Sequence, residues 1–213
     1  MYLDDMMFFG GQDAVFIYKI SNLDLPDELI YKINFIATSS KIRDRISRII
    51  ELGGSLEFLK TENPIFSNNL TLIDSLLPRI VSEILVLFYS NGQKSLKELI
   101  EMVEENNSLN FDQSQQHQFY IYKMKRFLTD IALGMMPATV WTGQYDATGG
   151  YLVVKENGDI LCYHIYNRND FENYLLNHMK LDTASSSRHG FGLIYKESEE
   201  LFFKLNLQIR FLK

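Results

Sequence analysis

The sequence predicts an α+β protein: a helical N-terminal two-thirds followed by a C-terminal ββαββ antiparallel unit. Three observations predict it. From Leu25 to Leu133 apolar residues recur at helical spacing between caps and glycine stops. After Pro137 short runs rich in β-branched and aromatic residues take over, two of them flanking Asn157–Gly158, a strong hairpin signal. The end of the chain alternates, with Phe203, Leu205, Leu207, Ile209 and Phe211 on one side and Lys204, Asn206, Gln208 and Arg210 on the other. The chain divides accordingly into residues 1–20, a short N-terminal segment with one strand; 21–136, helical; and 137–213, β-rich.

The first dozen residues are acidic and methionine-rich, with an apolar Met6–Phe9 patch before Gly10–Gly11. Val15–Ile20 reads as a short strand with an unpaired edge, its sheet partners expected to be missing. Pro26 opens a helix with Asp27 and Glu28 in its first turn and Leu29, Ile30 and Ile33 on one face. Ser39 or Ser40 caps the next, which Gly53–Gly54 ends. Its inward residues are expected to be Ile42, Ile46, Ile49 and Ile50, and its outward ones Lys41, Arg43, Arg45 and Arg48. Those cations could follow a phosphate backbone, but Asp44 and Glu51 dilute the charge and favour a solvated face. Pro78 restarts the apolar Asn69–Tyr89 stretch as a long buried helix. Ser95 and Glu98 form a capping box, and Phe119–Leu133 is a further helix stopped by Gly134 and Pro137, with Met135 and Met136 as core filler. Beyond the turn-rich Trp141–Gly150, Tyr151–Lys155 pairs with Ile160–Tyr166. Asn169 caps a helix to Met179, and Leu193–Lys196 pairs with Leu201–Phe211.

Composition bounds the function. At 213 residues, 46% hydrophobic and 23% charged, the chain can bury a real core and is not broadly disordered. A net charge of −6 argues mildly against nucleic-acid binding, but its distribution is uneven. From Thr183 onward five cations (Arg188, Lys196, Lys204, Arg210, Lys213) face three acids (Glu197, Glu199, Glu200). The lone Cys162 excludes an internal disulfide framework and a cysteine-based zinc site, and suits a reducing cytoplasm. No apolar run reaches the roughly 20 residues of a membrane span, and no signal peptide is visible.

Catalytic patterns are sparse. The commonest metal-nuclease arrangement places Asp or Glu two residues before a Lys, and none of the thirteen lysines has it. The serine versions, Ser39-Ser-Lys41 and Ser95-Leu-Lys97, lie at helix starts, where capping explains them. His117, His164, His178 and His189 have no metal-ligand spacing. The residues therefore nominate no catalytic and no metal-binding position, and no small-molecule enzyme. They nominate a polar surface: the loop Thr183, Ser185, Ser186, Ser187, Arg188, His189, closed by Gly190 and Gly192, beside Lys204, Asn206, Gln208 and Arg210 on the last strand. That loop is either a binding element or a well-bonded turn.

Long motifs carry a resemblance. FIYKI, then KMKRFLTDIALGMMPATVWTGQYDATGGYLVVKENGDILCYHIYNR, then SSSRHGFGLIYKE with FKLNLQIRF are similar to the C-terminal part of HpaII-type type II restriction endonucleases, from about Val15 to the end. The resemblance implies a bacterial enzyme that recognises the palindrome CCGG in double-stranded DNA and cuts it with Mg²⁺ alongside a cognate methyltransferase. It also implies a longer protein whose nuclease motif, a PD-(D/E)xK variant, lies upstream of the segment matching FIYKI. The chain is accordingly expected to be a fragment of a restriction-endonuclease-like α/β fold that binds rather than cuts, as a homodimer or with a separately encoded N-terminal half. The alternative is a non-functional or structural remnant. Reading CCGG wants arginines on guanine O6 and N7, which singles out Arg188 and Arg210, with Thr183, the serines and Lys204 on phosphates, while Asn206 and Gln208 either bond bases or line the outer face of the sheet.

Overall fold

A computed structural model describes residues 7–145, 150–154, 157–164, 167–183 and 190–212. Its elements run β1 (Met7–Ser21), α1 (Asp27–Asn34), α2 (Lys41–Glu51), β2 (Ser55–Thr61), α3 (Pro64–Ile73), α4 (Leu77–Asn91), α5 (Leu96–Asn106) and α6 (Phe119–Ala132). Then come β3 (Gly150–Val154), β4 (Ile160–His164), α7 (Arg168–His178), β5 (Met179–Leu181), β6 (Ile194–Glu197) and β7 (Glu200–Phe211).

The α+β class holds, around one antiparallel sheet that joins the two ends of the sequence. Its strand order is β2-β1-β7-β5, with β6 also on β7. β7 therefore pairs with β1 along one side, and on the other with β6 at Glu200–Phe203 and β5 at Ile209–Phe211. The alternation read in the last strand puts Phe203, Leu205, Leu207 and Ile209 in the main apolar core. Phe16, Tyr18 and Ile20 of β1 join them there, against α4 and α6 residues such as Ile84, Phe88 and Phe127. Burying side chains of this size stabilises the fold by about 1.5–3 kcal/mol each before the entropy of ordering them. Residues from all three segments of the chain share this core.

β1 is longer than its sequence suggests and is not an edge. It pairs with β2 on one side and β7 on the other, so the partners expected to be missing are supplied by this chain. Phe9 is core, edge-on to Phe127 at 5.5 Å, rather than part of an exposed patch. Between Gly10 and Val15 the strand leaves register, while β7 advances only from Gln208 to Asn206. A Cβ on Gly10 would lie 2.3 Å from the Leu207 carbonyl oxygen, and its φ is +129°, so only glycine fits.

Other readings shift. β2 interrupts the stretch taken as all helical. In α2 the buried face is Ile42, Arg45, Ile46 and Ile49, while Ile50 is 57% exposed. Arg45 turns inward because backbone carbonyls of Asn34, Ile36 and Gly192 accept from its guanidinium at 2.7–2.8 Å. Ser40 precedes α2 without a side-chain cap, bonding Asp44 instead. The Ser95–Glu98 box is half formed: Ser95 Oγ accepts from Glu98 N, but the Ser95 amide goes to Gln93 Oε1. α7 starts at Arg168, ahead of the cap expected at Asn169. Met135 is buried, but Met136 is exposed. The hairpins β3–β4 and β6–β7 form as expected, the second turning through Ser198 and Glu199 at positive φ. They do not share one sheet, since β3–β4 stands as a separate two-stranded unit.

Candidate nucleic-acid interface

The second face of the sheet carries the polar residues of β7. Its neighbours set the geometry. β5 and β6 flank the two ends of β7, and among the described residues no strand pairs with its middle on that side. The chain between them is tied to β7 at both described ends: Asp182 N donates to Gln208 O at 3.0 Å, and Gly192 N to Lys204 O at 2.8 Å. The Arg45 guanidinium holds the Gly192 carbonyl from behind at 2.7 Å. Phe191 is buried against Val15 of β1 on this face. The fold thus brings the roots of the serine-rich loop alongside Lys204, Gln208 and Arg210. Ser185, Ser186, Ser187, Arg188 and His189 themselves lie outside the described residues.

The described candidates differ in what they can offer a ligand. Thr183 is exposed, its amide donating to Asp182 Oδ1. Lys204 is half-buried, ion-paired with Glu62, and its ammonium sits 5.1 Å from the centre of the Tyr195 ring. Gln208 is half-buried opposite Gly10. Arg210 Nε lies 2.9 Å from Asp182 Oδ2. Lys19, also on this sheet, pairs with Glu200. An anionic ligand reaching Lys204 or Arg210 has to compete with a carboxylate already in place, which lowers the net attraction.

Asn206 has a different setting. It is 0% exposed, and its amide nitrogen donates to Gly11 O at 2.6 Å and Ala14 O at 3.3 Å. The side chain thereby holds the irregular part of β1, and Tyr89 Oη donates to the Asn206 carbonyl from the core side. Strand alternation alone put it on the polar face, and that much is right. What alternation could not show is that the neighbouring strand loops across and covers it.

A second polar cluster escaped the sequence reading. Asp130 of α6 is 4% exposed and accepts from Tyr145 Oη at 2.7 Å, while Arg168 pairs with the buried Glu172 at 2.6 Å. Burial pushes the Asp130 carboxyl up, and the Tyr145 hydrogen bond with the fields of Arg126 and Arg168 pulls part of that back. The available signal was an acid inside the apolar run Phe127–Leu133.

The described residues do not fit a metal centre of the kind hydrolysis of a phosphodiester would use. Among them no three His, Cys, Asp or Glu side chains converge, and Glu62, Asp74 and Asp182 are each engaged by a cation. No step through Mg²⁺ is assigned to these side chains.

Comparison with known proteins fixes the kinship. The family model described as HpaII restriction endonuclease matches residues 4–211. "Type II restriction enzyme HpaII" from Haemophilus parainfluenzae is 51% identical over 197 residues, a span of 92% of this chain and 54% of that protein. The chain therefore spans about half the length of the curated relative it matches. No solved structure matches it.

Proposed function

This chain belongs to the HpaII restriction endonuclease family, and from that premise we propose that its role is sequence-specific recognition of double-stranded DNA at CCGG. The carrying observations are an identity of 51% over 92% of the chain and a family-model match over residues 4–211, which takes in the serine loop and the last strand. Arg188 and Arg210 donate to guanine O6 and N7, and Thr183, Ser185–Ser187, His189, Lys204 and Gln208 set register through phosphates. Asn206 serves indirectly, by shaping β1 beside the loop. Cleavage, with its Mg²⁺, is assigned to residues contributed from outside this chain, for which the scan of thirteen lysines is the support. A palindromic site calls for two-fold symmetric action, as a homodimer or with the complementary half, in a cytoplasmic system that includes a methyltransferase.

One observation favours a second reading. Lys204 and Arg210 are neutralised by Glu62 and Asp182, as expected of a structural remnant or a partner subunit that binds nothing alone. A gel-shift titration separates the two. Under the recognition reading CCGG duplex is retained better than scrambled duplex, and Arg188→Ala costs about 1–3 kcal/mol on CCGG and relaxes base choice. Equal losses on both duplexes make Arg188 a phosphate contact. No shift at low salt overturns binding by this chain.

A further inference from the structure

We propose that the outer edge of β2, with the cleft beside it, docks an extended segment from the portion of the family protein that this chain does not span. β2 ends the strand order, and among the described residues no strand pairs with its outer side. A row of unpaired backbone N–H and C=O groups is a template for another strand. Natural edges are blunted by charge and bulges, and β2 has both in part. Glu57 and Lys60 are exposed, and a register shift falls between the residues of β1 that face Lys60 and Phe58. The stretch Ser55–Phe58 runs regularly, however, and it is the part that borders the cleft.

The cleft holds about 520 Å³ between β2 and the helices. Leu56 and Phe58 of β2 line one wall, and Arg79, Glu83, Val86 and Leu87 of α4 the other. Beside it Leu59 leaves an apolar side chain 51% exposed on the opposite face. Edge and cleft together suit strand addition, in which main-chain bonds to the edge give affinity and alternate side chains fill the pocket.

The occupant follows from what the chain lacks and what it already uses. The chain spans 54% of the relative, which leaves nearly half of such a protein available to cover the edge. A second copy suits the cleft poorly. Its Leu56 and Phe58 already line its own cleft, so edge-to-edge pairing would leave both clefts unfilled. A strand from the portion not spanned, with an apolar side chain at every second position, would fill the cleft while pairing with the edge. The inference rests on the reading of a complementary half and is independent of DNA recognition, which the gel shift tests on this chain alone.

The test mixes the full chain with the part of the Haemophilus parainfluenzae relative outside the matched span, produced as a separate chain, and follows backbone amide exchange by mass spectrometry. The expected result is a 1:1 complex in which exchange at Leu56–Lys60 slows by about tenfold or more, the scale of about 1.4 kcal/mol or more. Val86→Trp, which fills the cleft, and Arg79→Trp, at an exposed helical position on its rim, should each weaken that complex by about tenfold. The Arg79 variant decides the matter if the Val86 variant does not fold. No complex, a complex without protection of β2, or concentration-dependent self-association protecting the same amides each overturns the proposal.

Discussion

Asp130 shows how one side chain in an apolar helix sets a pH dependence. Its carboxyl is raised above the ordinary 3.8, first by burial. A raised carboxyl means that the folded chain holds the proton more tightly than the unfolded one. The stabilisation is complete below the ordinary carboxyl range and is lost as pH rises through the folded value. Asp130→Asn keeps an acceptor for Tyr145 and removes the buried charge. Its stability relative to the parent should therefore improve from about pH 4 to about pH 7, read by urea unfolding at each. A gap that does not change with pH would show that Asp130 ionises as it does in the unfolded chain. Neither this residue nor Arg45 was legible beforehand. The two terminal nitrogens of the Arg45 guanidinium donate to carbonyls of Asn34, Ile36 and Gly192, and only the folded backbone brings those three together.

Elements were read best where one period governed them. The alternation of β7 and the Asn157–Gly158 hairpin came through, because strand faces and tight turns are local properties. β1 was read too short, because Gly10 and Gly11 look like a stop. In the fold they let the strand cross close to the Leu207 carbonyl and resume at Val15. Asn206 is what holds that crossing. Asn206→Ala leaves the Gly11 and Ala14 carbonyls without the amide that now donates to them, and should cost about 1–3 kcal/mol in urea unfolding. A loss below about 0.5 kcal/mol would mean that glycine geometry alone shapes the crossing. Of the candidate site, the strand residues were legible as a polar row. The carboxylate partners of Lys204 and Arg210 were not, since Glu62 is 142 residues from Lys204 and nothing periodic links them.

At the scale of the molecule, the sheet makes the N-terminal segment indispensable. β1 lies between β2 and β7, and its side chains enter the same core as those of α4 and α6. Removing residues 1–21 should abolish cooperative unfolding and the near-ultraviolet circular dichroism of packed aromatics, rather than trim a dispensable strand. A truncated chain that still unfolds in one sharp transition would show that the remaining core is self-sufficient. The composition-based division into three segments reflects local character, and sheet pairing is blind to it.

The β1–β7 pairing also bears on how the protein is made. Phe16 and Leu205 are partners in the sheet although almost the entire chain is synthesised between them. During translation β1 leaves the ribosome well before β7, and the backbone groups of β1 that face β7 stay uncovered in the interval. Contacts this distant in sequence slow folding, and an uncovered strand invites pairing with other chains in the interval. A need to protect β1 during synthesis is thus written into the order of these two strands along the chain.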